Sequence, residues 1–367
     1  MRYQCRPYRL SAKATNILSN ALIFIGLVGL TASPQYAQAA TYTVDTTADN
    51  TSLTACTAAP TDCSLRGAIA NANSTIVDDT IDFIIPANDP GCTSTGICTI
   101  TLINGLVSIS SASTGGALNV RNATGAGNLL ISGNDSSGIF SISGGNLTLS
   151  GVTVTRGSDS GISNWGTLTL LNSIVSGNWG SSAGGIFNNG SLIMTRSTVS
   201  GNTGSLGGGI VNAPGATALL TNSTVSGNTA GNGGGVYNNS MLGITSSLTL
   251  ISSTITENAA SIGTGYIGSG IFSASSSAVG GTFPASSRVI ASNSIIAANS
   301  GGFDCAGVCV SNGYNLVGRA ENGSFTGIGD HAGTVSSPIN PMLGPLADNG
   351  GSTFTHALLP NSPAIDR

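Results

Sequence analysis

The sequence predicts an all-β fold: a right-handed parallel β-helix solenoid with an N-terminal capping helix and disulfide-stapled flanks. The first observation is composition. Only 7% of the 367 residues are charged while 40% are hydrophobic, and short Val-, Ile- and Leu-rich runs alternate with Gly, Ser, Asn and Thr, which is typical of short strands joined by polar turns. The second is a repeated phrase close to STVSGN, with a period from about 24 residues upward. Its copies occupy residues 173–178, 197–202, 223–228, 253–258 and 294–299.

The third observation is that the repeats align in columns of like residues. Apolar residues alternate along each unit, which marks one buried strand face. Coils that stack at about 4.8 Å would place like on like and build a core that no single coil can bury. A propeller or sandwich would instead need antiparallel hairpins with matched turns. Two of the columns contain Val154, Val175, Val199, Val225, Ile255 and Ile296, and Ile162, Ile186, Ile210, Val236 and Ile271.

Asparagine forms two further files. Asparagine tolerates left-handed turn geometry, and its amide can bond the next asparagine of the file. We therefore expect a structural role for these residues rather than ligand binding. Within STVSGN, valine is expected to point inward, serine and threonine outward, and glycine to allow the turn. The two files are Asn178, Asn202, Asn228, Asn258 and Asn299, and Asn164, Asn188, Asn212 and Asn238.

Residues 1–40 are predicted to be a signal peptide. A basic segment precedes the apolar run 21–30, and AQA at 37–39 supplies a cleavage site. A membrane anchor is the alternative, but a helix that spans a bilayer needs about 20 apolar residues. We therefore predict export to the extracellular space or the bacterial cell surface, with no transmembrane segment in the mature chain.

The mature chain is acidic. Without the four cations of the signal peptide, seven arginines and no lysine stand against fifteen carboxylates. No basic patch remains, so nucleic acid is not an expected partner.

Six cysteines remain after the signal peptide, in three pairs of near neighbours that flank the repeats. In an exported protein this spacing indicates three short-loop disulfides. A metal site is the alternative, but no histidine accompanies them. The cysteines are Cys56 and Cys63, Cys92 and Cys98, and Cys305 and Cys309.

CSLRGAIANAN, at 63–73, is the helical pattern of the mature chain, with Ser64 as its N-cap and Leu65, Ala68 and Ile69 on one face. Such a helix would close the open apolar end of a solenoid. The segment TIDFIIP, at 80–86, is predicted to be the first buried strand. The domains expected are the N-terminal cap and first coils (41–115), the β-helix repeats (116–300), with surface loops at 229–234, 259–269 and 274–287, and the C-terminal coils with a tail motif (301–367).

Two segments carry a family resemblance. CSLRGAIANAN followed by DTIDFIIP resembles the N-terminal signature of bacterial secreted right-handed β-helix proteins of the pectate-lyase-like superfamily. Residues 340–367 are similar to the segment characteristic of choice-of-anchor Q domain proteins. The resemblance implies an exported β-helix, often delivered to the cell surface by a separate sorting signal. No such signal or hydrophobic tail precedes Arg367, a departure that leaves free secretion and surface attachment both open.

A catalytic or metal site finds little support in the sequence. Lyases and glycosidases on this scaffold need grouped carboxylates. Asp135, Asp159 and Glu257 are the carboxylates between residues 91 and 300, and they share no column. Arg156 could approach Asp159, and Asp330 adjoins His331, but each is weak evidence for catalysis. A carboxylate cluster that either lies in a solvated loop or binds Ca²⁺, the weaker candidate, contains Asp78, Asp79 and Asp82.

The function predicted is therefore that of a non-enzymatic, monomeric module for adhesion to a surface or matrix. The expected partner is an extracellular polysaccharide or a host or matrix surface, and no cofactor is expected apart from the calcium alternative. The competing hypothesis is a polysaccharide lyase or glycoside hydrolase on the same scaffold.

Overall fold

The computed structural model describes most of the chain from residue 38 onward. The predicted signal peptide lies outside the described residues except for residues 38–40, and the predicted loops at 259–269 and 274–287 lie partly outside. The ranges described are 38–110, 116–241, 243–261, 268–275, 287–321 and 324–365.

The predicted parallel β-helix is confirmed. The chain winds repeatedly through three sheets, here named sheets 1, 2 and 3 in coil order, and each strand pairs in parallel with the equivalent strand one coil on. Sheet 1 has ten strands. They are Thr41–Val44, Asp79–Phe83, Ala117–Arg121, Asn146–Ser150, Thr167–Leu171, Ser191–Thr195, Thr217–Thr221, Ser247–Ile251, Arg288–Ser292 and Cys309–Ser311.

The strand that the sequence predicts to be the first of the fold is the second strand of sheet 1. Asp79–Phe83 matches the segment predicted at 80–86, but Thr41–Val44 precedes it and pairs with it. The short strand was missed because only Val44 of its four residues is fully buried, which gives little apolar periodicity.

Sheet 2 follows sheet 1 through a short turn. Its inward column pairs Val175 with Val154 and Val199, in the register that the sequence predicts. The strands are Cys98–Thr101, Leu129–Ser132, Thr153–Thr155, Ile174–Ser176, Thr198–Ser200, Thr224–Ser226, Thr254–Thr256, Ile295–Ala297, Leu316–Val317 and His331–Ala332.

Sheet 3 completes each coil, and a small fourth sheet precedes it in four coils. The fourth sheet consists of Trp179–Gly180, Thr203–Gly204, Thr229–Ala230 and Ala259–Ala260. The strands of sheet 3 are Val107–Ile109, Phe140–Ile142, Ile162–Asn164, Ile186–Asn188, Ile210–Asn212, Val236–Ser240, Gly268–Ser275 and Phe303–Gly307.

The stacked columns form the hydrophobic core. Val175, Val199 and Ile186 are fully buried and belong to one cluster that runs the length of the coils. At about 1.5–3 kcal/mol for each fully buried side chain of this kind, the columns provide the main stabilising term. A coil removed from the stack would lose it.

Different structures cover the two ends of the solenoid. The helix Leu65–Asn73 begins at Ser64, whose hydroxyl accepts a hydrogen bond from the Gly67 amide at 3.0 Å, and it buries Leu65, Ala68 and Ile69 as predicted. Gly67 permits close packing, because a Cβ there would collide with the Leu53 carbonyl oxygen. At the other end, Phe325 is buried and belongs to the core cluster.

Candidate functional site

The six predicted cysteines form three disulfides between near neighbours. The bonds are Cys56–Cys63, Cys92–Cys98 and Cys305–Cys309. The first lies directly before the capping helix, and the third joins the last strand of sheet 3 to the last strand of sheet 1. The disulfides therefore hold the flanks of the solenoid.

The Asn178–Asn299 file forms a continuous amide ladder. Asn202 shows the arrangement: its amide nitrogen donates to Asn228 Oδ1 at 2.9 Å and to the Val175 carbonyl at 3.0 Å, while its Oδ1 accepts from Asn178 Nδ2 at 2.9 Å. Asn228 and Asn258 continue the ladder in the same way. Because these amides are buried, the bonds satisfy polar groups that burial would otherwise penalise.

The Asn164–Asn238 file forms a second ladder. Asn164 donates to Asn188, Asn188 to Asn212, and Asn212 to Asn238, each at 2.7 Å. All four residues are fully buried. Their second N–H groups reach backbone carbonyls of sheet 1, so this ladder fixes the corner between sheets 3 and 1.

The ladder asparagines do not occupy the left-handed turn positions that their residue type predicts. Those positions belong to other residues, for example Asn222 with φ 49° and, as predicted, Gly201 and Gly227 with φ 63° and 65°. Asn202 has ordinary backbone geometry beside Gly201. The amide bonds, rather than backbone tolerance, account for the asparagine in these files.

Serine makes a third buried file that the sequence analysis missed. The Ser197 amide donates to Ser223 Oγ at 3.3 Å, and the Ser223 amide donates to Ser253 Oγ at 3.2 Å. The first serine of STVSGN is therefore buried between sheets 1 and 2, and the expectation that it faces outward is wrong. The regular recurrence of this serine in every repeat was the available signal.

Two files end on a carboxylate at the C-terminal end. Asn299 Nδ2 donates to Asp304 Oδ1 at 2.7 Å. The serine file passes to Asn315, whose Nδ2 donates to Asp330 Oδ1 at 3.1 Å. In each step of the asparagine ladder one side-chain N–H donates to the Oδ1 of the next asparagine toward this end, and Asp304 accepts the last of these bonds.

Asp304 is a buried carboxylate. Burial raises the pKa of its carboxyl above the ordinary value, although hydrogen bonds from Asn299 and Arg319 act in the other direction. The Arg319 amide donates to Asp304 Oδ2 at 2.6 Å, and the Arg319 Nε lies 3.9 Å from the same oxygen. These donors surround the group that ends the ladder.

The N-terminal cap holds two further carboxylates that the sequence did not single out. Burial raises the pKa of the Asp49 carboxyl, but the hydrogen bonds from Arg66 and from the Asn104 and Ile103 amides outweigh it, so this pKa lies below its usual value. Asp89 has a lowered pKa for the same kind of reason, chiefly through Thr47. No residue type or spacing in the sequence signals these contacts.

The predicted calcium cluster does not converge. Asp78 accepts from a backbone amide of the neighbouring strand, Asp79 is buried against Thr75, and Asp82 forms a bidentate pair with Arg121. Alternation along the strand sends consecutive side chains to opposite faces. Within the described ranges, no group of three or more His, Cys, Asp or Glu side chains is arranged to hold a metal ion.

The suggested approach of Arg156 to Asp159 is wrong. Arg156 instead forms an exposed ion pair with Asp135 of the preceding coil, at 2.5 Å. The reason is the repeat, since Asp135 stands close to Arg156 in the stack while Asp159 accepts from Ser181 of the following coil. Asp330 ends the serine file, and among the described residues no hydrogen bond joins its carboxylate to its sequence neighbour His331.

The outer face of sheet 3 and the turn after one of its strands carry aromatic residues, here named the aromatic row: Trp165 in the turn after Ile162–Asn164, and Phe187, Tyr237 and Phe272 in the strands. Phe187, Tyr237 and Phe272 occupy one outward register column, with Val211 between the first two. Ring centroids of Trp165 and Phe187 lie 5.8 Å apart, and those of Tyr237 and Phe272 lie 5.7 Å apart.

Trp165 is the most exposed member of the aromatic row, at 48%. The other three rings are half-buried, and burial raises the pKa of Tyr237. The neighbouring coils also expose Met241 and Ile244. The row is thus a partly exposed, uncharged strip whose ring spacing follows the stacking of coils.

The C-terminal segment covers the outer face of sheet 2. Leu343–Ala347 and Thr355–Leu358 form an antiparallel hairpin. Thr198 Oγ1 donates to the Phe354 carbonyl at 2.7 Å, and His356 Nε2 lies 2.8 Å from Ser226 Oγ. The threonine and second serine of STVSGN thus point out of the lumen as predicted, but they are buried under this hairpin.

No family model, curated protein or solved structure matches the chain. Among the described residues, no helix combines the length and apolar character needed to cross a membrane.

Proposed function

We propose that the chain is an exported β-helix protein of the choice-of-anchor Q type that acts as an interaction module at a cell surface or in an extracellular matrix. Its ligand is a polysaccharide that lies along the aromatic row. The three disulfides support an oxidising, extracytoplasmic location. The repeated coils support an extended contact, since solenoid faces offer long binding surfaces.

The observation that carries the proposal is the aromatic row. Sugar rings present C–H faces that pack on aromatic rings, and a partly exposed ring provides such a platform at a low entropic cost. Trp165 and Phe187 form one platform, and Tyr237 and Phe272 form another two coils further along. A ligand with a repeated ring structure can contact both at once, which a single small molecule cannot do.

The proposal is tested by affinity electrophoresis of the purified protein in gels that contain pectin, alginate, cellulose derivatives or other neutral and acidic polysaccharides. We expect retardation by at least one polymer. Trp165→Ala should weaken that binding about tenfold, the effect of roughly 1.4 kcal/mol of lost stacking.

Trp179→Ala is the matched control, because Trp179 is 51% exposed but lies in the fourth sheet, outside the aromatic row. Equal losses for both variants, or no retardation by any polymer, would reject the aromatic row as the binding surface. New reducing ends or unsaturated products in the same incubations would establish the competing enzymatic function.

A further inference from the structure

A cavity of about 190 Å³ lies at the C-terminal end of the outer face of sheet 2. Ile295, Leu316 and His331 are register neighbours in consecutive strands and form its floor. Tyr314 also lines the cavity, as do Leu358, Pro363 and Ala364 of the C-terminal segment. The cavity therefore exists because the hairpin covers the middle of the sheet and leaves this end open.

Tyr314 is held in place by its backbone and by a glycine. Its φ of 59° is unusual for a residue with a side chain, and such geometry persists where the surroundings enforce it. Its ring packs against Gly329, where a Cβ would lie 2.5 Å from Tyr314 Cδ1. With 54% of the residue exposed, the ring supplies a fixed aromatic surface beside the cavity.

Polar groups in the cavity are free to bind a ligand. Among the described residues, the Tyr314 hydroxyl and the His331 imidazole form no hydrogen bond, and the Asn293 Oδ1 accepts none. Of the described residues that line the cavity, none is Asp, Glu, Lys or Arg. An uncharged ligand with several hydroxyl groups and one apolar face matches this combination of aliphatic floor, aromatic wall and neutral hydrogen-bonding groups.

We infer that this cavity binds a single neutral sugar residue, such as the terminal residue of a glycan. At about 190 Å³ the cavity is smaller than the roughly 300–1,000 Å³ pockets that hold drug-sized ligands. This volume suits one sugar ring. This site shares a ligand class with the proposed function but involves none of the residues of the aromatic row.

The test is a titration of the purified protein with the methyl glycosides of glucose, galactose, mannose and N-acetylglucosamine, followed by saturation-transfer NMR and calorimetry. We expect at least one glycoside to bind with a millimolar to micromolar Kd. Tyr314→Ala should weaken this binding at least tenfold, and Tyr314→Phe should weaken it less because the ring remains. Trp179→Ala, in the fourth sheet and outside both proposed sites, should leave it unchanged.

His331→Gln provides an independent measurement, since it retains a hydrogen-bonding group on the floor and is expected to change which glycoside binds best. Thermal unfolding of every variant verifies that the fold is intact. Absence of binding by all four glycosides, or binding that Tyr314→Ala leaves unchanged in a folded protein, would overturn the inference. Because the polysaccharide test depends on Trp165, either proposal can fail while the other stands.

Discussion

At the scale of single residues, burial rather than residue type decides the importance of an asparagine. Asn188 bonds to Asn164, Asn212 and the Thr217 carbonyl, while its neighbour Asn189 exposes its side chain. Asn188→Ala should destabilise the protein by about 2–4 kcal/mol, because it leaves buried partners without a hydrogen bond. Asn189→Ala should change the free energy of unfolding by less than about 0.5 kcal/mol.

Chemical denaturation of these two variants makes the comparison, since they differ by one position in the sequence and remove the same atoms. Equal effects would mean that the ladder contributes nothing beyond an ordinary surface amide.

The carboxylates of the cap determine the response to acid. The pKa of Asp49 is lower in the folded chain, so the unfolded chain binds a proton more readily as pH falls. The stabilisation by Asp49 is complete above about pH 4, the ordinary carboxyl pKa, and is lost as pH falls through the folded value.

Asp49→Asn should therefore lower the melting temperature at pH 7 and flatten its decline between about pH 5 and pH 2. The raised pKa of Asp304 acts with the opposite sign, since its stabilising contribution is present at low pH and lost as pH rises through the folded pKa. Melting temperatures of the wild type, Asp49→Asn and Asp304→Asn across this pH range measure how each carboxyl group makes stability depend on pH. If the melting temperatures of the wild type and of Asp49→Asn declined in parallel as pH falls, the stabilising role assigned to the Asp49 carboxylate would be contradicted.

At the scale of elements, the hairpin is the least predictable part of the fold. Strands such as Ile174–Ser176 and Thr198–Ser200 follow from the sequence because each must match its neighbour in the stack, and this leaves visible columns. The hairpin has one copy and contacts residues far away in sequence, Phe354 with Thr198 and His356 with Ser226. Alternation identifies which residues face the lumen but says nothing about what covers the other face.

His356 is the polar anchor of the hairpin. Its Nδ1 donates to the Gly344 carbonyl at 2.7 Å, and its Nε2 forms a hydrogen bond with Ser226 Oγ at 2.8 Å. His356→Ala should speed amide hydrogen exchange in Leu343–Leu358 by about tenfold to a hundredfold, the effect of roughly 1–3 kcal/mol, while the coils stay protected.

Phe354→Ala is the control on the same element. This substitution retains the hydrogen bond from Thr198, because the acceptor is the backbone carbonyl of residue 354. Exchange that rises equally in the hairpin and in sheet 1 would show that the hairpin and the coils unfold as one unit.

At the scale of the whole molecule, a coil is the unit that can be removed. The 24 residues from Thr167 to Gly190 make one complete turn, and Gly166 and Gly190 hold equivalent positions before sheet 1. Deletion of residues 167–190 should leave a folded β-helix, because the flanking coils can stack in register. Deletion of 167–178 should not, because it removes two strands of a coil and retains the third.

Circular dichroism and thermal unfolding of both deletion proteins measure this difference. The 24-residue deletion also removes Phe187, so it should bind polysaccharide less well while remaining folded. Loss of cooperative unfolding in both proteins would show that the coils are not interchangeable.

The sequence predicts most of the fold but little of the two candidate binding surfaces, and the physical reason for both is whether a feature recurs from coil to coil. Repetition makes the core and the asparagine files visible, and the near-neighbour spacing of the cysteines makes the disulfides visible. The aromatic row is less visible, since Phe187, Tyr237 and Phe272 share a column with Val211. The end cavity leaves no trace in the sequence, because it forms where a single segment crosses a repeated surface.

A stack of similar coils has no intrinsic last member, and one molecule could in principle continue into the next as a filament. Asp304 and Asp330 terminate the hydrogen-bonded files at the C-terminal end. Each carboxyl group accepts from donors of its own chain, and a carboxyl side chain has no N–H to offer a following amide. Head-to-tail polymerisation is therefore opposed at the very positions where the repeat would otherwise propagate it.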